Sequence, residues 1–87
     1  MTNADVTRDL IELTEALTSG TVPPVRVPGE FERLTYLLLP LDREAERQLR
    51  AFVNELETIL FTKLPANQVP EMVRVLTNAE PIFSASP

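Results

Sequence analysis

Neither histidine nor cysteine occurs anywhere in these 87 residues. The first absence removes the commonest general base, the Ser–His and Cys–His nucleophile pairs, and the His-containing zinc and di-iron motifs. The second removes disulfides, thiolate nucleophiles and Cys-based zinc sites. Small secreted domains more often carry such staples, so the expected home is the cytoplasm. Glycine is almost as scarce: with only Gly20 and Gly29 present, no glycine-rich phosphate-cradling loop can be assembled. No apolar run approaches the ~18 residues of a membrane span, and the opening MTNADVTRDL has neither a basic n-region nor an apolar h-region. The chain is therefore expected to be neither exported by a visible signal nor embedded in a membrane. Positive charge is in deficit, with eight basic against thirteen acidic side chains and a net charge of -5. A phosphate backbone is repelled at long range, which disfavours nucleic acid as a partner.

Carboxylates are what remains for acid–base or metal chemistry. Asp42 with Glu46, or Glu12 with Glu15, share a helix face, but solvated positions and too few oxygens make a poor Mg²⁺ site. Their expected role is structural. An enzyme would have to rely on carboxylates, Tyr36 or Lys63, so no catalytic residue, cofactor or metal ligand is assigned and a non-enzymatic protein is expected.

What is present is helical pattern. An apolar fraction of 44% with 24% charged residues suits a folded chain. A lone domain of this size buries only roughly 60–65% of its unfolded surface, so a partner or a second copy would help it. Val6, Leu10, Leu13 and Leu17 recur at helical spacing, with Asn3 as the expected N-cap, Arg8–Glu12 as an i,i+4 pair and Gly20 as the stop. Ile11 falls off the main stripe. Thr21 to Pro28 holds three prolines and three valines and reads as an extended, polyproline-like connector. Phe31, Leu34, Leu38 and Leu41 fit a second helix, with a short buried strand over Leu34 to Leu39 as the alternative. Leu39-Pro40 then reads as the joint to the next helix.

The longest amphipathic stretch runs from Leu41 to Leu64. Leu41, Ala45, Leu49, Phe52, Val53, Leu56, Ile59 and Leu60 gather into one broad stripe. Asp42, Glu44 and Glu46 load its positive end with negative charge, and Glu46 is spaced to pair with Arg50. Pro65 stops this helix. Asn67 is a possible cap for the last one, whose apolar face is Val69, Met72, Val73 and Leu76, with Pro70 in the first turn. Ile82 and Phe83, beyond Glu80-Pro81, either dock on the body, fray, or present a short peptide motif.

The expected fold is therefore all-α: a small three- or four-helix antiparallel bundle with a Pro-rich connector. Helices are expected over about residues 4–18, 30–39, 41–64 and 69–78 of a single domain ending near residue 79, followed by a short tail over roughly 80–87. Opposite the apolar stripe of the long helix, Arg43, Arg47, Arg50 and Asn54 line up, and Phe61 lands beside them instead of with the other apolar groups. That mismatch makes Arg43, Arg47, Arg50 and Phe61 the candidate partner-binding residues. Arginine forks suit an acidic patch on another protein, and Phe61 would supply an apolar anchor unless the Ile82-Phe83 pair covers it. The expected function is a protein–protein interaction module, an adaptor, assembly factor or small regulator that self-associates as a homodimer. The alternative is a small DNA-binding or anti-repressor type regulator using the last two helices, although Glu71, Arg74 and Glu80 are a poor set for phosphate contacts.

Overall fold

The computed structural model describes residues 2–38 and 41–85, and these form a four-helix all-α bundle in which α1 spans Asn3–Ser19, α2 Val27–Leu37, α3 Arg43–Thr62 and α4 Pro65–Ala85. The first helix opens on a capping box. The Thr2 hydroxyl accepts from the Asp5 amide at 3.2 Å, and the Asp5 carboxylate accepts from the Thr2 amide at 3.0 Å. The expected cap, Asn3, is displaced because the box needs a hydroxyl three residues ahead of a carboxylate, and only Thr2 has that spacing to Asp5. Asn3 becomes the first helical residue and is buried. Gly20 ends the helix in the left-handed conformation, φ 83°, with Gly20 N–H donating to Leu17 and Thr21 N–H to Ala16. This is the paired termination that a glycine at that position makes cheap.

The connector corrects the expectation of an extended path. Pro24–Arg26 form a 3-10 turn, and α2 starts directly after it at Val27, with Pro28 in its first turn. Prolines in a first helical turn lack only an amide that has no intrahelical partner, so TVPPVRVP can nucleate a helix instead of blocking one. Val27 and Pro28 are buried as a result. Between helix and strand for the following stretch, helix is what forms, as far as Leu37, and Leu38 is already extended. The Leu39-Pro40 joint lies outside the described residues.

At α3 the Asp42 carboxylate accepts from the Ala45 amide at 2.7 Å. A capping side chain must sit on non-helical backbone, so the helix begins after Asp42 and leaves Leu41 outside it. Its far end is closed by a residue from the next element. Gln68 Nε2 donates to the Lys63 and Leu60 carbonyls at 3.2 and 3.5 Å, which ties the α3–α4 corner down.

The last helix is twice the expected length. It begins at Pro65, not near residue 69, and continues through the supposed tail to Ala85, with Pro70 and Pro81 both inside. Each internal proline forfeits a bond to the carbonyl four residues back and costs roughly 3 kcal/mol. Beyond Pro81, however, Phe83 is wholly buried and Ile82 half-buried, and burying those side chains at about 1.5–3 kcal/mol each offsets the break. Of the three fates open to Ile82-Phe83, docking is the one observed. The Phe83 ring lies 5.8 Å from that of Phe31 at an interplanar angle of 42°.

Packing follows a ring: α1 against α2, α2 against α3, α3 against α4, and α4 back against α1, the last being the most extensive contact. Val6, Leu10 and Leu17 of α1, Phe31 of α2, Leu56 of α3, and Met72, Leu76 and Phe83 of α4 meet at its centre. On α3 the buried stripe is Leu49, Val53, Leu56 and Ile59, with Leu41, Ala45, Phe52 and Leu60 half-buried along its margins. Among the described residues no buried side-chain nitrogen or oxygen lacks a hydrogen-bond partner.

Candidate interaction site

The stripe opposite the core of α3 faces solvent along its length. Arg43, Arg47, Arg50 and Asn54 are all exposed, and Phe61 is 85% exposed. Phe61 is not covered by the C-terminal pair: Phe83 points inward to Phe31. Leaving an aromatic ring in water forfeits about 1.5–3 kcal/mol of burial, and nothing among the described residues recovers it. Just past Phe61, Leu64 is 71% exposed on the corner that Gln68 holds.

The charges of the stripe are not equivalent. Arg47 is engaged by Glu44, which also accepts from Gln48 at 3.0 Å. The Arg47 guanidinium, with Gln48, holds the Glu44 carboxyl below its usual range, and Glu44 in turn raises Arg47. Both groups are fully in solvent, so the pair is exchangeable and contributes little. Arg43 and Arg50 have no ion-pair or hydrogen-bond partner for their side chains among the described residues. The expected Glu46–Arg50 pair does not form, nor does Arg8–Glu12, because Arg8 turns back to Asp5, already fixed by the capping box. Among the described residues the side chains of Glu46, Arg50 and Glu57, on or beside this stripe, make no ion pair.

Between this stripe and α2 runs a groove of about 640 Å³. Leu38, Leu41, Leu49 and Val53 give it an apolar floor, Tyr36 and Thr35 one wall, and Arg50, Asn54 and Glu57 the other, with Glu32 and Glu46 at the rim. Tyr36 is 79% exposed. Residue-by-residue reading missed this groove. Tyr36 falls off the Phe31, Leu34 and Leu38 stripe of α2, and the depression depends on how α2 leans on α3, which no periodicity reports. The available signal was the doubled leucine character around the α2–α3 joint, more apolar surface than one narrow helix face can bury.

Elsewhere the chemistry is thin. Among the described residues no three carboxylates, the only ligand type present, converge where they would hold a metal ion. Nor is any helix of the described residues long and apolar enough to cross a membrane. On α4, the arginine that a DNA-binding reading would use, Arg74, donates to Glu55 of α3 at 2.9 Å and to Glu71 at 3.2 Å, so two carboxylates flank it where a phosphate would have to sit. No protein-family model matches this sequence, and neither a curated protein nor a solved structure is significantly similar to it.

Proposed function

We propose that this small all-helical domain is a non-enzymatic protein–protein interaction module, an adaptor, assembly factor or small regulator, that works through the outward face of α3 and the adjoining groove. The observation that carries the reading is the pairing of Phe61, exposed on a tied-down corner, with the uncommitted guanidinium groups of Arg43 and Arg50 on the same helix stripe. A partner that offers carboxylates to the two arginines and an apolar site to Phe61 recovers burial that the fold itself leaves unused. Arg47 joins such a contact by exchanging Glu44 for the partner's carboxylate, at little cost because the existing pair is exposed. The domain also self-associates in this reading, and acts in the cytoplasm.

The test is affinity capture from the native host with the wild type and an Arg43→Glu, Arg50→Glu, Phe61→Glu variant. All three sites are exposed, so the variant should keep its helical signal and melt close to the wild type while losing the partner. Equal capture of the same protein by both chains would remove the assignment of this face. A titration against mixed-sequence duplex at low salt should show no binding. Salt-sensitive affinity there would favour the nucleic-acid reading instead.

A further inference from the structure

We infer that one occupant of this face is a second copy of the chain, set antiparallel about a two-fold axis at Asn54 so that the Phe61 corner of each copy enters the groove of the other. The inference rests on the interaction-module reading and names a partner for that site.

An isologous interface requires a surface that complements itself under a two-fold rotation. The face of α3 has that property. At 1.5 Å and about 100° per residue, Arg50 and Glu57 lie about 6 and 4.5 Å on either side of Asn54 and on the same flank of the face. Neither charge has an ion-pair partner among the described residues. Rotation about Asn54 brings Arg50 onto Glu57 of the second copy, a contact that occurs twice. The same rotation carries Phe61 over the Glu46–Arg50 turn of the second copy, where Leu49 and Leu41 floor the groove. The two Asn54 amides meet at the axis, where an amide can both donate and accept.

Size sets the expected strength. Phe61, Tyr36 and Leu64 are 85%, 79% and 71% exposed, and with an aromatic ring worth about 150–250 Å² the three side chains of two copies offer roughly 900 Å². The flanking charged side chains bring this to the low end of specific interfaces, near ~1,200 Å², so a reversible dimer in the micromolar range is expected.

Sedimentation equilibrium on the full chain tests this. The wild type should dimerise, Arg50→Glu and Glu57→Arg should each weaken the dimer at least tenfold, and Phe61→Glu should do the same. The chain carrying both Arg50→Glu and Glu57→Arg should dimerise again. An equimolar mixture of the two single variants should form a heterodimer, since both of its contacts are then of opposite charge. Helical circular dichroism confirms that each variant is folded. A wild type that stays monomeric at several hundred micromolar overturns the inference, as does a dimer that the three single variants leave intact or a charge exchange that fails to restore it. Monomeric wild type together with loss of capture in the triple variant would leave the interaction-module reading standing with a different protein on this face.

Discussion

Replacing Phe83 by alanine probes whether the last turns of α4 hold the fold together. The ring is fully buried against Phe31. Full burial of the ring is worth about 1.5–3 kcal/mol. Truncation to alanine loses most of that and leaves a cavity whose cost adds to it, so the expected loss is about 3–5 kcal/mol. For 87 residues, a total stability of roughly 4–13 kcal/mol follows from typical per-residue values. The variant should therefore sit near the edge of folding, with a melting temperature lower by about 12–40 °C. Urea denaturation followed by circular dichroism measures the change. Ser84→Ala, one residue away and exposed, is the control and should move stability by less than about 0.5 kcal/mol. A Phe83→Ala loss under about 1 kcal/mol would mean that the ring contributes no burial and that the helix beyond Pro81 is dispensable.

The two glycines should respond with opposite signs. Gly20 has φ 83° and open space around it, so Gly20→Ala meets only backbone strain and should cost about 1–2 kcal/mol, whereas Gly29, inside α2 with nothing nearby, should gain about 0.5–1 kcal/mol as alanine; urea midpoints that move in the same direction would contradict this. Acid should act through Asp5, whose carboxyl is held below its usual 3.8 chiefly by the Thr2 backbone amide and then by the Thr2 hydroxyl. A lowered folded value means that this contribution is complete above the unfolded value and fades as pH falls through the folded one. A carbon-detected NMR titration should place Asp5 below 3.8, with Thr2→Ala moving it part of the way back, and a titration at or above that value would refute the capping-box account.

The helices were legible because their signals are local. Val6, Leu10, Leu13 and Leu17 announce one face of α1, and Gly20 announces its end, through spacing and a single backbone preference. What escaped was each place where tertiary burial outvotes a local rule. Pro81 reads as a terminator until Phe83 finds Phe31, and TVPPVRVP reads as extended chain until Val27 and Pro28 are buried. Ion pairs went astray for a related reason: i,i+4 spacing permits Glu46–Arg50 but does not decide among competing exposed geometries of similar energy. On the candidate face, the misplaced phase of Phe61 was visible on a helical wheel. The groove beside it was not, because its walls come from two helices and its existence depends on their mutual tilt.

The closing contact of α4 on α1 has a consequence for biosynthesis. About 55 residues separate Leu17 from Met72, which at about 5–20 residues per second leaves a nascent α1 without its main neighbour for about 3–11 s. Over that interval α2 alone packs on α1, and the greasy stripe of Val6, Leu10 and Leu17 is only partly covered. Its burial is completed as α4 arrives, so the same packing that seats Phe83 also withdraws that stripe from chaperones and from aggregation.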